Sequence, residues 1–167
     1  DKNTEVILFF AGHGLATPDG KKLFLMPYDG ETSLLDDTAI LLSEIFEVLK
    51  GTNPKSVIAL IDACYSGQTR NNETLIADAR PITIVPIKNQ IPDNFIVLSA
   101  SSGSELSGSL PEAEQGLFSY YLMKGLEGDA DKNNDKKITV GELYNFVQSN
   151  VTRQAIRLGR EQTPELQ

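Results

Sequence analysis

The fold is decided by the stretch Glu5-Val6-Ile7-Leu8-Phe9-Phe10-Ala11-Gly12-His13-Gly14. Its apolar run from Val6 to Phe10 predicts a buried strand that ends in a tight turn at the two glycines. Two further apolar runs, at 56–61 and 95–98, predict strands of the same kind because neither alternates with polar residues. Three buried strands separated by helical segments indicate an α/β fold with a mostly parallel central sheet flanked by helices.

Helical patterns lie between and after these strands. Ser43 predicts the start of a helix over 44–50, and the spacing of apolar residues predicts two more over 116–127 and 140–158. Residues 67–93 are polar and proline-containing, which predicts a long loop. In parallel sheets, ligands bind beyond the carboxyl ends of the strands, so we expect the chemistry at those ends.

Composition excludes several classes of protein. The 167 residues carry 23 acidic and 15 basic side chains, a net charge of −8, which argues against a nucleic-acid-binding protein. One cysteine excludes an internal disulfide and the Cys₄ and Cys₂His₂ zinc sites. No apolar run approaches the roughly 20 residues of a membrane span. We therefore expect no membrane partner. A cytoplasmic location is a separate expectation.

The single histidine and the single cysteine each follow a predicted strand, with His13 about 50 residues before Cys64. A cysteine nucleophile needs a base to form its thiolate and an acid to protonate the leaving amine, and histidine suits both tasks near neutral pH. Taken alone, each residue has an ordinary structural explanation as a buried apolar or a satisfied polar side chain. Their joint placement at strand ends favours a catalytic dyad.

Two motifs carry a family resemblance. The stretch Phe9-Phe10-Ala11-Gly12-His13-Gly14 resembles the histidine motif of caspase-like cysteine peptidases, and Asp62-Ala63-Cys64-Tyr65-Ser66-Gly67 resembles their cysteine motif. Aspartate two positions before the cysteine is the pattern of metacaspases and bacterial caspase-like proteins, whereas true caspases carry glutamine there. Gly116-Leu117-Phe118-Ser119-Tyr120-Tyr121-Leu122 is similar to the helix that opens the small-subunit part of the fold.

The resemblance implies one caspase-like catalytic domain over residues 1–167, built as a three-layer α/β sandwich. Residues 1–66 would correspond to the large subunit, 67–93 to the loop between the subunits and 94–167 to the small subunit. The family places a strand before the histidine strand, and this chain starts at aspartate rather than methionine. We therefore expect an N-terminally truncated fragment whose full-length protein carries regulatory domains upstream or downstream.

The resemblance also assigns catalytic roles. Cys64 would be the nucleophile and His13 the general base and acid, with the backbone N–H groups of Gly14 and Cys64 as the oxyanion hole. These roles predict a cysteine endopeptidase that acts on proteins or peptides and needs no cofactor for its chemistry.

Specificity is predicted from Asp62. Because side chains alternate along a strand, Asp62 shares a side with Cys64, where its carboxylate would attract a basic substrate residue. The family places this aspartate in the pocket for the residue before the scissile bond, which implies cleavage after Arg or Lys. Ala11 stands where metacaspases commonly have serine, and Ser99 and Ser101 follow the strand that forms the opposite pocket wall. The alternative is that Asp62 caps a strand end or a turn.

Residues 131–142 match most of an EF-hand calcium loop, and calcium is the one metal that we expect. The candidate ligands are Asp131, Asn133, Asp135, Lys137 and Glu142. Lys136 occupies the position of the motif's glycine, where a left-handed conformation costs roughly 1–2 kcal/mol. The alternative, compatible with the first, is a capping box in which Thr139 and Glu142 begin a helix.

Two other functions stay open at this point. A catalytically inactive caspase-like module that binds partners or calcium would keep the fold, and Ala11 with the truncation allows it. A serine hydrolase based on Ser66 or on 99–104 is disfavoured because no Gly-x-Ser-x-Gly elbow is present.

Overall fold

The computed structural model describes residues 1–17, 19–64, 91–102 and 105–167. Its strands are β1 (Glu5–Ala16), β2 (Leu23–Leu25), β3 (Ile40–Leu41), β4 (Ser56–Cys64), β5 (Phe95–Ser99), β6 (Ser109–Leu110), β7 (Gln115–Gly116) and β8 (Glu165–Leu166). Its α-helices are α1 (Leu35–Thr38), α2 (Leu42–Gly51), α3 (Leu117–Lys124) and α4 (Val140–Arg157). Most of the predicted loop at 67–93 lies outside the described residues.

A central sheet organises these elements. Within the described residues, six strands pair in the order β3-β2-β1-β4-β5-β8. The central strands β1, β4 and β5 are parallel to one another, whereas β2, β3 and β8 pair antiparallel at the two edges. The prediction of an α/β fold with a mostly parallel central sheet is confirmed.

Side-chain alternation divides the core between the two faces of the sheet. On one face, which we call the α2 face, Phe46 of α2 packs among Val57, Ala59 and Ile61 of β4. On the other, the α3–α4 face, Leu60 of β4 joins a cluster built by α3 and α4, whose buried members include Leu117, Phe118, Val147 and Val151. Both faces of β4 are therefore covered, which explains why its sequence is apolar without alternation.

Three local predictions were wrong. The run from Val6 to Phe10 is not buried on both sides, because Ile7 and Phe9 are exposed while Val6, Leu8 and Phe10 pack on the α2 face. The first strand does not turn at Gly12, because β1 continues to Ala16 and its last three residues pair with β2. The helix expected over 44–50 begins earlier, at Leu42, so Ser43 lies inside it and does not cap it. Pairing with a neighbouring strand outweighs the turn preference of glycine in β1.

Helix α4 begins with a complete capping box. The Glu142 N–H donates to Thr139 Oγ1 at 3.2 Å, and the Thr139 N–H donates to the Glu142 carboxylate at 3.0 Å. The hydrogen bonds from the Thr139 backbone and hydroxyl lower the pKa of the Glu142 carboxyl. Because the folded-state pKa lies below the unfolded one, this stabilisation is present above the unfolded-state pKa and is lost as pH falls through the folded-state pKa.

Thr139→Ala should lower the free energy of unfolding by about 1 kcal/mol near neutral pH, because it removes the acceptor for the first turn of α4. Thr139→Ser, which keeps the hydroxyl, should stay close to the wild type. Urea denaturation at neutral pH and at a pH below the Glu142 pKa measures both. Equal unfolding free energies for Thr139→Ala and the wild type at neutral pH would contradict the role of the cap.

Candidate active site

His13 and Cys64 are backbone partners on two neighbouring strands. In the parallel register of β1 and β4, His13 is the partner of Cys64, and neighbouring strands lie about 4.8 Å apart. The His13 side chain is exposed. Its backbone carbonyl accepts a hydrogen bond from the Met26 N–H at 2.9 Å, which ties this end of β1 to the residue after β2. Solvent therefore reaches the histidine at the carboxyl edge of the central strands.

The same register places Ala11 opposite Asp62. Because residues in register on parallel strands share a face, Ala11 lies on the α3–α4 face with Asp62 and Leu60. Ala11 is exposed, whereas Asp62 is fully buried. Two of the predicted pocket residues are thus brought together on the face that also carries His13.

The Asp62 carboxylate accepts hydrogen bonds from Ser107 and Ser119, both of which the structure describes. The Ser107 hydroxyl donates to Oδ1 at 2.6 Å, and the Ser119 hydroxyl donates to Oδ2 at 2.5 Å. The Ser119 backbone N–H donates to the same oxygen at 3.3 Å. Ser119 lies in the first turn of α3, where backbone N–H groups lack partners within the helix and favour a negative charge. Asp62 therefore joins the end of β4 to the start of α3.

Ser107 and Ser119 were not among the predicted site residues. They lie 45 and 57 residues from Asp62 in the sequence, so no local spacing connects them with the cysteine motif. The available signal was the position of Ser119 near the start of a predicted helix, where serine commonly bonds to backbone or to charged groups.

Ser99 lies elsewhere. It pairs with Ile61, which places it on the α2 face, opposite that of Asp62. Its hydroxyl lies 3.5 Å from the Ser101 carbonyl oxygen and 3.4 Å from that of Glu165, and donates toward these backbone groups. Ser101 is half-buried. Neither of these Ser99 hydrogen bonds reaches Asp62. The role of Ser99 and Ser101 in a pocket wall therefore stays a prediction.

The candidate calcium loop folds around its first aspartate. Asp131 Oδ2 accepts from the Lys136 N–H at 2.9 Å, and Asp131 Oδ1 accepts from the Asp135 N–H at 3.2 Å. Lys136 has φ of 65°, the left-handed conformation that the motif requires at this position. Glu142 is engaged in the capping box, and the charge of Asp131 acts on it to raise its pKa, against the effect of Thr139. Within the described residues, no three His, Cys, Asp or Glu side chains converge as a metal site.

Comparison with known proteins decides the family. The model of the caspase domain family matches residues 1–167. The chain belongs to the caspase domain family. No curated protein matches it. The caspase-domain chain is similar to the crystal structure of protein GSU0716 from Geobacter sulfurreducens, with 17% identity and a TM-score of 0.55 over 98% of this chain. At that identity, the likeness shows the fold alone.

Family membership supports a cysteine-peptidase type of site in general.

The caspase-domain chain spans 65% of the length of the Geobacter protein. In the part of the chain that the structure describes, no helix has the length and apolar character needed to cross a bilayer.

Ser119→Ala should lower the free energy of unfolding by about 1–3 kcal/mol, because it removes a donor to the buried Asp62 carboxylate. Ser149→Ala is the matched control, since Ser149 is exposed on α4 and should change stability by no more than about 0.5 kcal/mol. Urea denaturation of both variants measures the difference. Equal values for the two variants would show that the Ser119 hydroxyl does not support Asp62.

Proposed function

We propose that the chain is the catalytic domain of a cysteine endopeptidase with His13 and Cys64 as its dyad. The observation that carries the proposal is the register of β1 and β4, which makes the two residues cross-strand partners. They are the only histidine and the only cysteine in the sequence. Membership of the caspase domain family supports the same chemistry.

The proposed reaction proceeds in two stages. His13 takes the thiol proton, and the thiolate attacks the scissile carbonyl carbon to form a tetrahedral oxyanion. The backbone N–H groups of Gly14 and Cys64 donate to that oxyanion. The C–N bond breaks as His13 protonates the leaving amine, which leaves a thioester. Water, deprotonated by His13, then hydrolyses the thioester and restores the thiol.

Asp62 supports specificity for Arg or Lys before the scissile bond. It stands two residues before Cys64 on the α3–α4 face, and hydrogen bonds from Ser107 and Ser119 hold its carboxylate in one orientation. Asp62 is fully buried, so the proposal requires that a basic substrate side chain displaces the residues around it. We propose protein or peptide substrates with basic residues. The cytoplasmic location and the further regulatory domains stay predictions.

Cys64→Ala should abolish peptide hydrolysis, because the chain has no other thiol to act as nucleophile. It should leave the circular dichroism spectrum unchanged. Fluorogenic peptides that end in Arg, Lys or Asp measure activity and specificity together, with Arg and Lys cleaved and Asp not. Turnover by Cys64→Ala would reject the nucleophile, whereas preference for Asp would reject the pocket role of Asp62.

The competing function is an inactive caspase-like module that binds partners. It is favoured by Ala11, which stands where metacaspases commonly have serine, and by the hydrogen bonds that tie Asp62 to the start of α3. A wild-type protein that folds, cleaves none of the three peptides and resists a peptide-based thiol-reactive probe would favour this function.

We also propose that residues 131–142 bind calcium through side-chain oxygens of Asp131, Asn133, Asp135 and Glu142 and the backbone carbonyl of Lys137. The left-handed Lys136 and the turn around Asp131 support an EF-hand type of loop. Calcium binding would require Glu142 to share its carboxylate between the ion and the Thr139 cap, which is feasible because a carboxylate has two oxygens.

Calorimetry with calcium should show binding to the wild type and at least about tenfold weaker binding to Asp131→Ala, because a charged first ligand is lost. Asp129→Ala removes a carboxylate just outside the loop and should bind like the wild type. Absence of both heat and thermal stabilisation in the wild type, or equal affinity for the two variants, would contradict the calcium site.

A further inference from the structure

Buried polar side chains are concentrated in one place. Among the described residues, the buried polar or charged side chains are Asp62, Ser107, Ser119 and Gln162. All four belong to one connected hydrogen-bond network. Burial of a polar group is costly unless its partners are in place. A network of this kind at the end of the cysteine strand therefore points to a role in the site.

Gln162 contacts three parts of the loop after β5. Its Nε2 donates to the Ala100 carbonyl at 3.0 Å and to the Ser107 Oγ at 3.4 Å, and its Oε1 accepts from the Gly108 N–H at 2.9 Å. The Ser107 hydroxyl in turn donates to Asp62. The hydrogen bonds thus run in one direction, from the Gln162 amide through Ser107 to the carboxylate.

The C-terminal segment that carries Gln162 is held in place on both sides. The Thr163 N–H donates to the Glu105 carboxylate at 2.6 Å, and the Thr163 hydroxyl donates to its other oxygen at 3.1 Å. The Thr152 hydroxyl of α4 donates to the Gln162 carbonyl at 3.2 Å. Glu105 therefore ties the C-terminal segment to the loop before Ser107. This fixed backbone leaves Gln162 few alternative positions.

We propose that Gln162 is a positioning residue for the specificity pocket, which orients Asp62 by holding the Ser107 hydroxyl on its carboxylate. The inference rests on the proposed pocket role of Asp62. Without the Gln162 amide, Ser107 loses a donor and the amide's other partners, at Ala100 and Gly108, lose theirs. The Ser107 hydroxyl can then rotate away from Asp62. The Asp62 carboxylate is then less well oriented to bind a basic substrate side chain.

The test replaces the amide by an apolar group of similar shape, Gln162→Met. Gln148→Met is the matched control, because Gln148 on α4 donates to the Tyr144 hydroxyl and lies outside the network. Ser107→Ala removes the same bond to Asp62 by another route and replaces Gln162→Met if that variant does not fold. Two measurements are made on each protein: hydrogen exchange of the Ser119 amide, and kcat and KM for a peptide that ends in Arg.

Exchange of the Ser119 amide should become about tenfold faster in Gln162→Met and Ser107→Ala, because its acceptor is no longer held. The Leu122 amide in the same helix should keep its rate, and Gln148→Met should change neither. KM for the Arg peptide should rise about tenfold in the two network variants, while kcat changes by less than about threefold.

The two measurements separate the possible failures. An unchanged Ser119 exchange rate in both network variants would overturn the positioning role, whatever the activity. An equal rise in KM or in the Ser119 exchange rate in Gln148→Met would also overturn it. So would faster exchange of the Leu122 amide together with that of Ser119, because both results indicate general destabilisation. Faster Ser119 exchange in a protein that does not cleave after Arg would support the positioning of Asp62 and reject the proposed function instead.

Discussion

The parallel register between β1 and β4 is the constraint on which the rest of the structure depends. Nine residue pairs run from Glu5 opposite Ser56 to His13 opposite Cys64. A slip of one residue would reverse the face of every side chain on β1. It would move Phe10 away from the α2 face and separate His13 from Cys64. The apolar contacts that fold the sheet therefore also bring the proposed dyad together.

Asp62 connects this register to the second half of the chain. Its carboxylate accepts from the start of α3 and from Ser107, so the sheet, the helix and the loop after β5 meet at one buried charge. A charge in this position is stable only while its donors stay in place. The same hydrogen bonds that join the sheet to α3 would also orient Asp62 in its proposed role as the specificity residue.

The sequence predicted the fold where a signal is local. The runs at 56–61 and 95–98 are the cores of β4 and β5, and the apolar periodicity from 140 matches α4. The Thr139 capping box was also predicted, since both of its members lie within one helical turn. The end of β1 was predicted wrongly because Gly12 and Gly14 favour a turn locally. The antiparallel pairing with β2 that extends the strand has no local signal in the sequence.

The candidate site also contains residues with a local sequence signal and residues without one. His13, Cys64 and Asp62 lie in short motifs, so the sequence could propose them as site residues. Ser107 and Gln162 reach the site from far along the chain, 55 residues apart from each other, and neither has a neighbouring pattern that indicates burial. Packing of the C-terminal segment against the loop after β5 places Gln162 on Ser107, and Ser107 donates to Asp62. Long-range hydrogen bonds of this kind leave no periodic trace in the sequence.

The most direct test of the paired dyad is the rate at which iodoacetamide alkylates Cys64 near neutral pH. The chain has one cysteine, so the rate reports that thiol alone. His13→Ala should slow alkylation by at least about tenfold, because the thiolate loses its base, while circular dichroism shows an unchanged fold. Equal alkylation rates in the wild type and His13→Ala would contradict the account.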